Sequence, residues 1–264
     1  MSRVSHRTIT RRFLRVWQRN FTVYRRTWHI NFLPPLLEPV LYVAAFGIGF
    51  KTLVPAVHVH GLSVSYVAFI APALIAVGIM YNAFFETTYS SFVRMYYQKT
   101  FDAIMSAPVS LEEVITGEIV WGATKSLFAA VTMLVVLTLC GLVRYPQGLL
   151  VLPLAFLGGL GFAAIGMFFT GVVKSIELFN LPTFLFITPM FLFSGTFFPL
   201  DQLPGWAQGV AGVFPLTHVT ALARDATFGT MTWRGSAASW GYLVAFAVLW
   251  FPVALHAMRR RLVR

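Results

Sequence analysis

The chain has 264 residues, of which 58% are apolar and only 11% are charged, and its formal net charge is +11. Soluble globular domains carry about 25% charged residues, so this composition excludes a soluble enzyme and indicates an integral membrane protein. Each membrane span needs about 20 apolar residues, and the length allows about six of them. The positive charge lies beside apolar runs, which indicates contact with anionic membrane lipid and no nucleic-acid partner.

Residues 1–31 are predicted to form a cytosolic amphipathic helix that lies in the membrane interface. At about 100° per residue, its apolar side chains fall within an arc of about 120°, and arginines lie opposite. Such a helix places its rings at the headgroup boundary. Packing of the helix on a soluble domain is the alternative. The apolar set is Ile9, Phe13, Trp17, Phe21, Tyr24 and Trp28, and the opposite arginines are Arg11, Arg15, Arg19, Arg25 and Arg26.

Six apolar runs follow and predict an all-α transmembrane domain over residues 32–264. The predicted spans are residues 32–50, 64–85, 115–142, 149–173, 178–198 and 237–256. Basic residues concentrate before the first run, in the second-to-third and fourth-to-fifth connections, and in the tail. The positive-inside rule places these segments in the cytosol. Both termini of this multi-pass protein are therefore predicted to be cytosolic.

Polar and ionisable residues within the spans are the candidate lining of a pathway or gate. A charge at the bilayer centre costs about 2.5 to 3.5 kcal/mol, so such residues should face protein or water. Glu38 follows a proline-rich elbow and is expected to contact either a structural partner or a substrate. Glu86, one turn after Asn82, is expected to be a helix-end residue that reaches water, with a gate as the alternative. Glu118 and Lys125 lie two turns apart on one face of the third span, too distant to pair directly.

Residues 94–118 form one sizeable polar stretch between the first and last spans. Thr100 is expected to begin, and Pro108 to stop, a short helix within it. The sequence from Ser110 to Glu113 then has the spacing of a capping box that opens the third span. A short cytosolic helix of this kind fits a contact with a partner protein. Its residues are Thr100, Phe101, Asp102, Ala103, Ile104 and Met105.

The segment between the fifth and sixth spans is rich in proline and yet apolar. Residues 206–214 and 216–223 are predicted to form two short helices that dip back into the outer leaflet. A purely extracellular amphipathic pair is the alternative. The candidate functional residues of this external segment are Phe198, Pro199, Leu203, Pro204, Trp206, Phe214, Pro215 and His218.

The sequence carries no pattern typical of catalysis or of nucleotide binding. Gly117, Gly122 and Lys125 resemble a phosphate-binding loop, but two extra residues precede the lysine and no strand precedes the glycines. Two external histidines, His58 and His60, are too few for a metal site. The chain is therefore predicted to bind no metal or cofactor and to be no enzyme.

Several blocks of sequence resemble the permease subunits of type-2 ABC exporters, and among these the nodulation-type lipo-oligosaccharide exporter permeases. The blocks are the arginine-aromatic start, FETTYSSFVRM at 85–95, KTFDAI at 99–104, GEIVWGATK at 117–125, SGTFFPLDQLP at 194–204 and FPLTH at 214–218. The resemblance implies a homodimer in the bacterial cytoplasmic (inner) membrane. It also implies two copies of a separate ATPase that binds ATP and magnesium, a coupling helix at residues 100–105 that docks on this ATPase, and an external helix pair over the exit.

The resemblance thus predicts export of an amphipathic lipid- or acyl-linked oligosaccharide or polysaccharide, energised by that ATPase. Export of a hydrophobic drug or another small molecule is the alternative within the family. A proton-coupled secondary transporter that uses Glu38, Glu86 or Glu118 is the alternative of another class, and it would need no cytosolic partner. Phenylalanines of the fifth span can line a path for acyl chains or sugar rings, or can simply meet lipid.

Overall fold

The structure, a computed structural model, describes residues 9–29, 37, 40–42, 44–45, 49, 57–59 and 62–262. Glu38 and most of the first predicted span lie outside the described residues. Within them, five helices are long and apolar enough to cross a membrane, namely Tyr66–Tyr97, Leu111–Leu139, Gln147–Val172, Ile176–Phe193 and Trp233–Leu262. They overlap the second to sixth predicted spans, and the first predicted span stays a prediction. The chain is a multi-pass α-helical membrane protein.

Ten α-helices and one short hairpin are named here in chain order. The helices are α1 (Phe13–Arg26), α2 (Tyr66–Phe85), α3 (Thr100–Met105), α4 (Leu111–Leu139), α5 (Val151–Val172), α6 (Asn180–Pro182), α7 (Thr188–Phe193), α8 (Gly205–Val213), α9 (Pro215–Phe228) and α10 (Trp233–Leu262). The antiparallel strands β1 (Val57–Val59) and β2 (Leu62–Val64) precede α2. This hairpin was not predicted from the sequence, because strands of three residues leave too short an alternation of apolar and polar residues to detect.

Helix α5 lies at the centre of the bundle and packs against α2, α4 and α10. Its glycines let neighbouring backbones approach closely. A Cβ atom on Gly159 would lie 3.0 Å from Ala123 Cα on α4, and one on Gly171 would lie 2.8 Å from the backbone carbon of Ala257 on α10. Close approach of this kind supplies the dispersion contacts that hold helices together in lipid. The small residues of this helix therefore serve its packing against α4 and α10.

Helix α2 does not end at residue 85, where the sequence predicted the span to end. Two π-helical segments, Glu86–Ser90 and Val93–Tyr97, continue it to residue 97. The wider turn is visible at Ser91, whose amide donates to the carbonyl of Glu86 five residues earlier. The polar residues expected at a helix end therefore lie within one long helix, where their charges meet partners from other helices.

Helix α1 packs its aromatic face on α4. The ring of Trp17 lies edge-on to Trp121 with 6.5 Å between centroids, and Tyr24 stacks on Phe128 at 5.4 Å. Trp17 Nε1 also donates to Thr124 Oγ1 at 2.9 Å. Trp17 and Tyr24 therefore contact α4, which offers these rings an aromatic surface and a hydrogen-bond acceptor, and their place at the headgroup boundary stays a prediction. The interfacial position of the helix as a whole stays a prediction.

Candidate functional site

The short helix α3 has the bounds that the sequence predicted and begins at Thr100. Lys99 occupies the N-cap position in a left-handed conformation with φ 53°, and no side chain caps the helix. Such a φ is uncommon for a residue with a Cβ atom. Thr100 therefore begins the helix without capping it, and the turn at Lys99 sets the direction in which the helix leaves the π-helical continuation of α2.

The side chains of α3 divide into an anchored set and an exposed set. Phe101 is completely buried, and Ile104 and Met105 pack in part against the same core. Asp102 and Ala103 are exposed. The helix is thus fixed to the bundle through Phe101, and it presents Asp102 and Ala103 outward.

The corner between α3 and α4 is tied to the segment that leads into α1. The predicted capping box is present, since Ser110 Oγ accepts from the Glu113 amide at 3.3 Å and Glu113 Oε2 accepts from the Ser110 amide at 2.8 Å. Glu113 also accepts from the amide of Thr10 at 3.1 Å. Arg12 donates to the carbonyl of Pro108. One carboxylate therefore caps α4 and holds the N-terminal segment.

The end of α10 reaches the same corner. Arg259 forms an ion pair with Glu112 in the first turn of α4. The guanidinium of Arg261 lies 5.1 Å from the centre of the Phe92 ring and donates to the carbonyl of Thr170 at 2.5 Å. Helices α1 and α3 and the end of α10 consequently lie at one end of the bundle, in agreement with the distribution of basic residues.

Glu86, which was expected to reach water from a helix end, is buried with 5% of its surface exposed. Its carboxylate accepts from Trp121 Nε1 at 3.0 Å and forms ion pairs with Arg94 Nη1 at 2.8 Å and Lys125 Nζ at 2.9 Å. A carboxylate withdrawn from water needs such partners, because desolvation penalises its charge. The helix-end interpretation is wrong, since α4 brings a lysine and an indole to this carboxylate.

Glu118 is fully buried and is joined to Glu86 through the same arginine. Its Oε2 accepts from Arg94 Nε at 3.0 Å and Nη2 at 2.5 Å, and from Ser91 Oγ at 2.5 Å. Its Oε1 accepts from Asn20 Nδ2 at 2.8 Å. The network therefore links α1, the π-helical continuation of α2, and α4.

The structure brings together three of the five residues predicted for a pathway or gate, Glu86, Glu118 and Lys125. It leaves Asn82 apart, because Asn82 Nδ2 donates to the carbonyl of Gly78 within its own helix at 2.9 Å. Arg94 was missed, because it lies outside the predicted spans, in the connection between the second and the third. Its signal was present: Lys125 can neutralise only one of the two acids Glu86 and Glu118, which leaves the other in need of a cation.

The external segment contains the two predicted helices, α8 and α9. His218 on α9 stacks on Tyr242 of α10 with 4.0 Å between ring centroids. Its ring nitrogens contact Ser239 Oγ and the carbonyl of Gly212, each at 3.1 Å. Insertion of this pair into the outer leaflet stays a prediction. Phe198, Pro204 and Trp206 are exposed, Pro199, Leu203 and Phe214 are half-buried, and Pro215 is buried at the start of α9.

Arg224 on α9 is a buried cation that was not among the predicted site residues. Its guanidinium lies 4.0 Å from the centre of the Phe69 ring and donates to the carbonyls of Phe69 at 3.3 Å and Gly195 at 2.9 Å. Burial lowers the pKa of Arg224 to about 10. Gly195 has φ +69°, and the turn it makes begins after α7 ends at Phe193. The predicted end of the span at residue 198 is therefore too late.

Comparison with known proteins matches residues 11–228 of the chain to the ABC-2 type transporter family. The chain is 34% identical to Nodulation protein J of Rhizobium leguminosarum bv. viciae over 252 residues, which cover 96% of this chain and 95% of that protein. It is 33% identical to Nodulation protein J of Rhizobium meliloti (strain 1021), covering 95% of this chain and 94% of that one. It is 24% identical to the inner membrane transport permease YadH of Escherichia coli (strain K12), covering 93% of each.

Proposed function

Because this chain belongs to the ABC-2 type transporter family and is a type-2 exporter permease, we propose that a separate cytosolic ATPase drives its transport cycle. The cargo is an amphipathic lipid- or acyl-linked oligosaccharide or polysaccharide, which crosses the bacterial cytoplasmic membrane. The working assembly is a homodimer of this chain with two copies of the ATPase, and both termini lie in the cytosol. ATP and magnesium bind to the ATPase, and this chain provides the path.

The observation that carries the proposal is the way α3 is held. Asp102 and Ala103 are exposed and available to a partner, whereas Phe101 is buried in the core. A force applied to the exposed residues would pass through Phe101 into α2 and α4, because a close-packed interior transmits displacement and does not absorb it. The ties through Glu113 and Arg12 would carry α1 with the same corner.

The proposal for the cargo is supported by the exposed apolar surface of the helix Ile176–Phe193, which includes the ring of Phe184. Phe184 is 69% exposed, and its neighbour Leu185 is 76% exposed. Aromatic faces can stack on sugar rings and pack against acyl chains. A hydrophobic drug or another small molecule is the alternative cargo, since the same surface would accept a purely apolar molecule.

A proton-coupled mechanism is less well supported by the site. It would need a carboxylate that gains and loses a proton during transport. Glu86 and Glu118 are both held in ion pairs with Arg94, and all their oxygens accept hydrogen bonds within the bundle. Neither carboxylate of the described network is therefore a suitable proton carrier.

Reconstitution tests the proposed function. The chain is placed in proteoliposomes with and without the ABC ATPase encoded by the neighbouring gene, and ATP hydrolysis and the movement of a lipid-linked oligosaccharide are followed. We expect transport only when both the ATPase and ATP are present. Transport driven by a proton gradient alone, with no association of the ATPase, would overturn the proposal.

A further inference from the structure

A cavity of about 410 Å³ opens between α1, the π-helical continuation of α2, and α4. Its volume lies in the range of small-molecule binding sites, roughly 300 to 1,000 Å³. The cavity adjoins the buried charge network without being filled by it. The side chains that matter for its chemistry are Arg19, Tyr24, Arg94, Trp121 and Lys125.

The charges around the cavity are unequal. Three cations, Arg19, Arg94 and Lys125, adjoin two carboxylates, Glu86 and Glu118, which leaves one positive charge in excess. Arg19 is the cation that forms no ion pair with a carboxylate of the described residues. Burial lowers the pKa of Arg19 even though Glu118 opposes the shift, so its positive charge is incompletely compensated. A half-buried excess cation favours an anionic ligand.

The hydrogen-bonding groups that remain free in the cavity are donors, which also favours an anionic ligand. A guanidinium carries five N–H donors, and Arg19 uses one on Asn20 Oδ1 at 2.9 Å. Lys125 carries three donors and uses one on Glu86 at 2.9 Å. The oxygens of Glu86 and Glu118 all accept within the network. Free donors and occupied acceptors suit a ligand with several acceptor oxygens, and phosphate meets this requirement with arginine and lysine.

We propose that this cavity binds the phosphate-bearing headgroup of a lipid. Arg19 and Lys125 donate to the phosphate oxygens, and the rings of Tyr24 and Trp121 flank the group attached to the phosphate. A lipid fits because the cavity lies beside two membrane-spanning helices, where headgroups are concentrated. The inference goes beyond the proposed function, since the binding of a headgroup requires neither the ATPase nor transport.

Two matched pairs of probes test the headgroup chemistry on the purified full-length chain in detergent, with native mass spectrometry as the measure of bound ligand. Dioctanoyl phosphatidic acid is compared with dioctanoylglycerol, and farnesyl diphosphate with farnesol. We expect each phosphate-bearing member to bind at least about tenfold more tightly than its partner. Tighter binding of phosphatidic acid than of farnesyl diphosphate identifies the ligand as a membrane phospholipid. Tighter binding of farnesyl diphosphate identifies it as an isoprenoid diphosphate carrier. Displacement by millimolar inorganic phosphate shows that free phosphate suffices.

Three variants locate the site. Arg19→Gln removes the uncompensated cation, and Val23→Trp fills the cavity at an exposed position without a change of charge. Each should weaken binding of the phosphate-bearing probe by about tenfold. Arg15→Gln is the matched control, because Arg15 is exposed on the same helix and does not line the cavity. It should change affinity by less than about twofold.

Three results would overturn the proposal. One is equal binding of the probes with and without phosphate. Another is unchanged binding in both Arg19→Gln and Val23→Trp, with melting temperatures that match the unsubstituted chain. The third is an equal loss in Arg15→Gln, which would mean diffuse attraction to the basic surface of α1. All are measured without the ATPase, so they leave the exporter proposal standing, and a failure of ATPase-driven transport would leave the headgroup site standing.

Discussion

Arg94 and Glu118 form a two-point ion pair inside the helix bundle, with Arg94 Nε 3.0 Å and Nη2 2.5 Å from Glu118 Oε2. The third nitrogen of the same guanidinium lies 2.8 Å from Glu86 Oε1. One arginine thus forms ion pairs with two carboxylates from different helices. Its planar fork makes this possible, whereas a lysine offers only a single point charge.

Replacement of Arg94 should strongly destabilise the fold. Arg94→Leu leaves Glu118 buried without a cation, and removing one member of a buried ion pair costs about 3–5 kcal/mol. Unfolding by a denaturing detergent, followed by circular dichroism, measures the change. Lys174→Leu is the control, since Lys174 is exposed in a connection, and it should change the free energy of unfolding by less than about 0.5 kcal/mol.

A double variant separates loss of charge balance from loss of packing. Arg94→Leu with Glu118→Gln removes both charges of the pair, so it should recover part of the stability lost in Arg94→Leu alone. No recovery in the double variant would mean that the arginine acts through packing and not through charge.

A methyl group added to a glycine of α5 would press against neighbouring helices, whereas one added to a glycine of α8 would meet open space. A Cβ atom on Gly166 would lie 2.2 Å from Thr87 Oγ1 and 2.9 Å from the carbonyl of Phe84. Gly166→Ala should therefore destabilise the chain by about 1–3 kcal/mol. Gly209 in α8 has open space around it, so Gly209→Ala should be neutral or stabilising by up to about 1 kcal/mol. Melting temperatures that fall equally in both variants would contradict the close packing of α5 on α2.

Features that depend on nearby residues in the chain were predicted from the sequence, and features that depend on distant residues were not. The bounds of α3 and the capping box at Ser110 depend on neighbours within a few residues, and both were predicted. The burial of Glu86 and the packing of Trp17 depend on α4, which is distant in the chain. Hydropathy does not distinguish a ring that faces lipid from one that faces another helix, because both surroundings are apolar. Among the sequence signals, only the balance between acidic and basic side chains of the second and third spans indicated such contacts.

Acidification should weaken the contact between α9 and α10. Burial lowers the pKa of His218 below its ordinary value of 6.5, with the carbonyl of Gly212 as a smaller opposing influence. The folded state therefore favours the neutral ring, and its contribution to stability is complete above about pH 6.5 and is lost as the pH falls through the lower folded pKa. The melting temperature should fall between pH 7 and pH 5 more steeply for the unsubstituted chain than for His218→Gln. Parallel pH profiles would contradict this assignment.

The two kinds of residue in α3 should have separable effects on stability and on ATPase association. Phe101→Ala removes a fully buried ring, so it should cost about 3–5 kcal/mol of stability whether or not the ATPase is present. Asp102→Arg changes an exposed residue, so it should leave the melting temperature unchanged and reduce co-purification of the ATPase. Asp201→Arg makes the same change of charge at an exposed position in the predicted external segment, and it should have no effect on association. If Asp102→Arg and Asp201→Arg bind the ATPase equally well, the placement of the coupling contact at α3 is wrong, because the charge of the proposed contact surface would then have no influence on docking.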